Sequence, residues 1–169
     1  MYFDLLNNPE TAQLIDFLVM LGFIGVFILS YKNWRVNPSV FICSIILFGC
    51  FVVANNTFEY FWLTDNTQPD YNFYLRWLEY DVLAIISIIT VHLVTRVKLH
   101  KATFAIMYLL AINTITYLAM HIDIMVLENR ESWWLWTWYT PSTLLVELSI
   151  IITLATISIL EIRKQVIAE

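Results

Sequence analysis

The sequence predicts an all-α integral membrane protein, a compact bundle of five transmembrane helices. First, 60% of its 169 residues are hydrophobic and 14% are charged, whereas soluble domains are about 45–50% apolar and about 25% charged. Second, the chain contains apolar stretches of about 20 residues, the length that crosses a hydrocarbon core of about 30 Å. Third, these stretches are continuous rather than alternating, which indicates helices and not barrel strands. Residues 1–169 are predicted to form a single transmembrane domain.

The helix boundaries are predicted from hydrophobicity and from proline positions. The predicted spans are Ala12–Tyr31, Val40–Trp62, Tyr74–Val94, Ala102–Ile124 and Ser142–Ile162. Three pairs resemble an N-cap residue followed by proline at the first helical position, where the missing N–H costs nothing: Asn8-Pro9, Asn37-Pro38 and Thr140-Pro141. No proline falls inside a predicted span, so unbroken helices are expected.

The basic residues predict the orientation of the bundle. Most of them fall between spans one and two, between spans three and four, or after span five: Lys32, Arg35, Arg96, Lys98, Lys101, Arg163 and Lys164. Because Lys and Arg concentrate on the cytoplasmic side, we expect an external N-terminus and a cytoplasmic C-terminus. This orientation requires an odd number of crossings. The compactness of the chain suggests the bacterial cytoplasmic (inner) membrane.

Polar residues inside the predicted spans indicate a pocket near the external surface. Glu59, Glu79, His121 and Glu147 each lie six or seven residues, or about 10 Å, below the outer end of their span. The predicted pocket consists of Asn55, Glu59, Arg76, Glu79, Asp81, Asn113, Tyr117, His121, Asp123 and Glu147. The lower half of the bundle is expected to be dry. The alternative is that these residues only lock the helices together through interhelical hydrogen bonds.

The chemistry of this pocket favours a positively charged occupant. Carboxylates outnumber Arg76, so the pocket favours a cation, a proton or a basic group of a partner. The sequence contains no nucleophile elbow, phosphate-binding loop or metal-ligand spacing, and we predict no catalytic residue, metal or cofactor. His92 and His121 differ by about 20 Å along the membrane normal, too far to hold one haem. There is no basic run of the kind that binds nucleic acid.

A dense aromatic segment precedes the fifth predicted span. Trp133, Trp134, Trp136 and Trp138 crowd this predicted loop. They are either part of an aromatic belt at the water–lipid boundary or a contact surface for a lipid headgroup or another membrane protein.

One short segment resembles a known family. Tyr74-Leu75-Arg76-Trp77-Leu78-Glu79-Tyr80 is similar to the third-helix motif of microbial rhodopsins and heliorhodopsins, in which the acid is the Schiff-base counter-ion. The resemblance implies that role for Glu79. It does not extend to the retinal-binding lysine of the last helix, because every lysine here lies at or beyond the inner boundary of its span. No covalent retinal is therefore expected.

Three functions are compatible with these features. The first is a non-enzymatic membrane subunit, scaffold or sensor that contacts the bilayer and either a second copy of itself or another membrane protein. The second is a transporter or oligomeric channel coupled to a cation or proton. The third is an enzyme that acts on a lipid or quinone at the outer leaflet.

Overall fold

The structure, a computed structural model, describes residues 9–54, 73–129, 131 and 133–168. Within these ranges the chain is helical, with no strand. The helices are α1 (Pro9–Lys32), α2 (Pro38–Ala54), α3 (Phe73–Thr95), α4 (Lys101–His121) and α5 (Trp134–Ala168), and a π-helical turn, Ile122–Val126, continues α4. The remainder of the predicted second span, beyond Ala54, lies outside the described residues.

Four of the helices are long and apolar enough to cross a membrane: Leu14–Lys32, Tyr74–Thr95, Lys101–Val126 and Trp134–Ile167. The described part of α2 is apolar but shorter, with 17 residues. Large apolar side chains are exposed on the outer faces of these helices, among them Leu93, Val94 and Phe104. Such a surface is unfavourable in water and suits a lipid environment.

The helices form a closed ring. Each described helix packs against the next one along the chain, and α5 returns to pack against α1. The amide of Asn33, just after α1, donates to the carbonyl of Ser158 in α5 at 2.7 Å, so these two neighbours run parallel. The core consists of one side-chain stripe from each helix, with Val26, Cys43, Ile88, Ile106 and Leu154 almost completely buried.

The two ends of the bundle differ in charge. We call the end formed by residues 33–37 and 96–100 the basic end, because Lys32, Arg35, Arg96, Lys98 and Lys101 lie there. The opposite end, where residues 127–133 connect α4 to α5, is called the acidic end, because Glu128 and Glu131 lie there.

One of the three predicted proline boundaries coincides with an observed helix start. α2 begins at Pro38, and the side-chain oxygen of Asn37 accepts from the backbone N–H of Val40 at 3.3 Å, as an N-cap does. The boundary predicted at Asn8-Pro9 is not tested, because Asn8 lies outside the described residues. The third prediction is wrong, because α5 begins at Trp134 and contains Pro141. Proline cannot donate to the preceding turn, but it leaves the helix intact here.

A buried polar network at the basic end contradicts the expectation of a dry lower half. The hydroxyl oxygen of Ser39 lies 3.0 Å from that of Thr103, 2.9 Å from Nε2 of His92 and 2.9 Å from the backbone nitrogen of His100. Nδ1 of His92 lies 2.7 Å from the carbonyl of Ile88 and must donate to it. In a neutral imidazole, Nε2 of His92 then accepts a hydrogen bond from the Ser39 hydroxyl. The oxygen of that hydroxyl in turn accepts hydrogen bonds from the backbone N–H of His100 and from the Thr103 hydroxyl.

A second group of polar contacts lies on the other side of the basic end. Oδ1 of Asn33 accepts a hydrogen bond from the side-chain amide of Gln165 at 3.2 Å, and its Nδ2 donates to the carbonyl of Ser158. Both partners belong to α5. The hydroxyl groups of Ser30 and Ser44 join α1 to α2: one donates to the other, and the acceptor donates to a carbonyl of its own helix. We call the connected set Ser39, His92, His100 and Thr103 the basic-end network.

Candidate functional site

A partly open cavity of about 40 Å³ lies among the five helices. Most of its wall is apolar. Its polar groups come from three helices: Asp81 from α3, Asn113 from α4 and Glu147 from α5. We call this space the carboxylate cavity.

The side-chain stripe on α3 explains why Asp81 reaches the cavity. Trp77, Asp81 and Ala84 are spaced by four and three residues, so they share one face of the helix and all line the cavity. Glu79 lies two residues before Asp81, which places it about 200° around the helix. Its side chain is exposed. Glu79, which we expected at the pocket level, therefore lies on the opposite face.

Asn113 links two of the helices inside the cavity. Its Nδ2 donates to Oδ2 of Asp81 at 2.9 Å. Its side chain is only 4% exposed, and among the described residues its Oδ1 has no hydrogen-bond partner. A buried carbonyl without a donor is costly. Glu147 faces the same space, so two carboxyl groups and an unsatisfied amide oxygen converge there.

Aromatic rings separate the cavity from the acidic end. Tyr117 lies one turn beyond Asn113 on α4, is 3% exposed, and stacks on Trp77 with ring centroids 6.2 Å apart. Tyr139 packs edge-on against Tyr117 at 5.8 Å and against Tyr74 at 5.3 Å. We call these four residues the aromatic cap.

A packed apolar layer separates the cavity from the basic end. Ile88, Ile106 and Leu154 each lie one turn below a cavity-lining residue of their own helix and are completely buried. Val26 and Cys43 complete the layer and are 2% and 0% exposed. Among the described residues, the cavity and the basic-end network are therefore separate regions.

The structure brings together only part of the predicted pocket. Asp81, Asn113, Tyr117 and Glu147 are assembled around the cavity. Arg76 is partly buried and is not among the described residues that line it. His121 ends α4, and its buried Nδ1 has no partner among the described residues. Asn55 and Glu59 lie outside the described residues.

Asp123 belongs to a separate cluster at the acidic end. It is only 4% exposed. Its carboxylate accepts hydrogen bonds from Nδ2 of Asn129 at 3.1 and 3.3 Å. It also accepts one from Nε1 of Trp133 at 3.0 Å and one from Nε1 of Trp136 at 2.6 Å. These bonds fix the end of the π-helical turn against the start of α5. The charge of Asp123 is thus balanced by neutral donors, as is common for buried carboxylates.

The same cluster changes the interpretation of the tryptophans. The expectation that they lie in a loop is wrong, because α5 begins at Trp134 and includes Trp136 and Trp138. Trp133 and Trp136 direct their N–H groups at Asp123, whereas Trp134 and Trp138 are 62% and 61% exposed. A contact with lipid or a partner remains a prediction for the exposed pair.

Two residues important for the cavity were missed by the sequence reasoning. Cys50 lines the cavity from α2, and Tyr139, in the first turns of α5, packs on Tyr117. Tyr139 precedes Pro141, where the fifth span was predicted to start, so the predicted bounds exclude it from the helix. The four-residue spacing of Trp77 and Asp81 was a signal for the correct face of α3. Within the described ranges, no group of three or more His, Cys, Asp or Glu side chains lies close enough to hold a metal ion.

No known protein family matches the chain, and neither a curated protein nor a solved structure matches it. Its class therefore follows from physical features alone. The helices that are long and apolar enough to span a membrane indicate a helical membrane protein.

Proposed function

We propose that the chain is a small multipass membrane protein that acts as a sensor or accessory subunit by binding a small cation in the carboxylate cavity. The distribution of Lys and Arg supports an external N-terminus and a cytoplasmic C-terminus. The acidic end then faces outward. The exposed Trp134 and Trp138 lie at that end, where lipid or another membrane protein contacts them.

The observation that carries this proposal is the pairing of Asp81 and Glu147 around one space. They come from different helices, and the described residues that line the cavity include no Lys, Arg or His. Carboxyl groups inside a membrane protein are costly and are typically retained at ion or proton sites. A cation offsets that cost, and the unsatisfied Oδ1 of Asn113 supplies a further neutral ligand.

The size of the cavity limits its occupant. A water molecule needs about 10–15 Å³ of such space, so about 40 Å³ holds roughly three water-sized groups. A hydrated proton or a monovalent metal ion fits. Pockets for drug-sized molecules are typically about 300–1,000 Å³, so a quinone ring or lipid headgroup does not fit among the described residues.

The layers around the cavity favour binding over conduction. The aromatic cap packs beside it towards the acidic end, and Ile88, Ile106 and Leu154 fill the bundle towards the basic end. A conducting channel needs polar groups along its whole path. The described residues instead hold a cation within the carboxylate cavity. This suits a sensor whose helix packing changes when the cation binds.

Thermal stability of the full-length chain in mild detergent tests the proposal. Na⁺, Li⁺ or K⁺ is titrated against choline at constant pH and ionic strength, and a proton arm varies pH in choline alone. A ligand that binds only the folded state raises the apparent Tm, and the rise grows with the logarithm of the ratio of ligand concentration to Kd. We expect one cation to raise Tm, and we expect Asp81→Asn and Glu147→Gln to abolish the rise.

Glu79→Gln is the matched control, because it removes a carboxylate from the exposed face of the same helix. It should retain the full cation response. The proposal is wrong if no cation or pH arm distinguishes wild type from the two cavity variants. It is equally wrong if Glu79→Gln loses the response to the same extent. Uptake by proteoliposomes, if lost in the cavity variants, would instead identify a transporter.

A further inference from the structure

A second recess lies at the basic end, about 590 Å³ in volume, between the start of α2 and the start of α4. Its wall includes Asn37, Ser39, Lys98, His100 and Lys101. We call it the α2–α4 groove. It shares no lining residue with the carboxylate cavity, and its occupancy does not depend on the cation site.

The charge of the α2–α4 groove is positive. The Lys98 and Lys101 side chains are exposed, and no described acid forms an ion pair with either. Glu161 is the one acid among the described lining residues, and it already pairs with Lys164 at 2.9 Å. A neighbouring recess of about 450 Å³, lined by Lys32 and Arg35, adds to the positive potential.

The floor of the α2–α4 groove is held in place from below. Ser39 accepts from the backbone N–H of His100 and bonds to His92 and Thr103. Nδ1 of His100 accepts from the backbone N–H of Ala102 and so caps α4. The segment that carries Lys98 and Lys101 is thus tied to three helices. A site held in this way loses little conformational entropy when it binds a ligand.

The position of the groove matches the headgroup level of a bilayer. It lies where the apolar spans Tyr74–Thr95 and Lys101–Val126 end. Leu99 belongs to its wall and is 40% exposed, and Phe104, one turn into α4, is exposed to the surrounding lipid. A molecule that carries phosphate and acyl chains contacts bases and apolar surface here at the same time. Basic pockets between helices on the cytoplasmic side bind such headgroups.

The geometry points to a specific site for an anionic phospholipid, with the phosphate of its headgroup between Lys98 and Lys101 in the α2–α4 groove. The acyl chains lie along Leu99 and Phe104. The occupant is a lipid of the leaflet at the basic end and not a free phosphate, because a free ion would leave the flanking apolar surface unused.

Native mass spectrometry of the full-length chain, released from nanodiscs of equal parts phosphatidylglycerol and phosphatidylcholine, tests the site. We expect one retained phosphatidylglycerol per chain. Lys98→Gln/Lys101→Gln should weaken its binding about 30-fold, given the usual contribution of a base near anionic lipid. Glu161→Gln should tighten it, since the one lining acid is removed.

The control Arg96→Gln/Arg163→Gln removes two exposed bases from the same end outside the groove. It should change binding less than threefold. An equal loss in the control or in Lys32→Gln/Arg35→Gln would show diffuse attraction and overturn a discrete site. Inorganic phosphate that competes with the lipid at equal concentration would identify a free-phosphate site and likewise overturn the proposal. Circular dichroism of every variant confirms folding.

Discussion

The two polar regions inside the bundle differ in how far their hydrogen-bonding groups are satisfied. In the basic-end network, Ser39 has partners on α3, on α4 and in the segment before α4. In the carboxylate cavity, Asp81 has the side chain of Asn113 as its partner, and Oδ1 of Asn113 has none among the described residues. Asn113 is 4% exposed and Ser39 is 2% exposed, so exposure does not account for the difference between these two residues.

This difference separates a structural role from a binding role. Buried polar groups in proteins are almost always paired, and an unpaired group calls for an explanation. Ser39, His92 and Thr103 are all hydrogen-bonded, although at the same end the buried hydroxyl of Ser158 has no partner among the described residues. In the carboxylate cavity, the proposed cation would be the partner that Oδ1 of Asn113 lacks. Polar substitutions in the two regions should therefore change stability in opposite directions.

The largest effect is expected from Ser39→Ala. It leaves His92, Thr103 and the N–H of His100 without their shared partner, and we expect the free energy of unfolding to fall by about 2 kcal/mol. Unfolding in mixed micelles with increasing dodecyl sulfate measures it. Ser149→Ala is the control, because that exposed hydroxyl bonds only to its own helix. Equal stability of the two variants would contradict the structural role of the network.

Glu147→Gln should act in the opposite direction. In buffer without a bound cation, replacing a buried carboxyl group by an amide of the same shape should raise the free energy of unfolding by about 1.5 kcal/mol. The same micelle titration in choline measures it. A decrease comparable to that of Ser39→Ala would mean that Glu147 is a structural group, and the contrast between the two regions would disappear.

Trp136→Phe tests whether hydrogen bonds stabilise the Asp123 cluster as they stabilise the basic-end network. The variant removes the N–H that donates to Asp123 at 2.6 Å, and we expect a loss of about 1 kcal/mol because Trp133 and Asn129 still donate. Trp138→Phe is matched in size but exposed, so it should change stability by less than about 0.3 kcal/mol. Similar losses in both would show that aromatic area, and not the hydrogen bond, stabilises this end.

The smallest effect concerns the backbone at the two ends. Arg96 at the basic end has φ of 55° and Glu128 at the acidic end has φ of 52°, a left-handed conformation that favours glycine. Arg96→Gly and Glu128→Gly should each raise the free energy of unfolding by about 0.5 kcal/mol. Arg96→Val, which tolerates this conformation poorly, should lower it. Differential scanning calorimetry in detergent detects these changes.

Much of the helical architecture could be predicted from hydrophobicity. α1 and α3 differ from the predicted spans by only a few residues at each end. The start of α5 could not be predicted in this way, because Pro141 satisfies the rule for a first helical residue equally well. The bonds from Trp133 and Trp136 to Asp123, which are long-range features, fix the true start.

The site was harder to predict, because the depth of a residue in the membrane does not specify which face of its helix it lies on. Glu79 and Asp81 lie within about 3 Å along the helix axis but face opposite sides, and only Asp81 lines the cavity. The basic-end network was missed for a different reason. Ser39 and Thr103 are small polar residues next to apolar runs, and nothing in the sequence shows that they meet His92.

The parallel packing of α5 beside α1 has a consequence for how the protein is made. The ribosome makes α1 well before α5, and at about 5–20 residues per second the interval is roughly ten seconds. During that time the amide of Asn33 has no Ser158 carbonyl to accept its hydrogen bond. The contact between α1 and α5 therefore forms only after α5 has been made, and a nascent chain stalled before α5 exposes the uncovered face of α1 to the insertion machinery and to quality-control proteases.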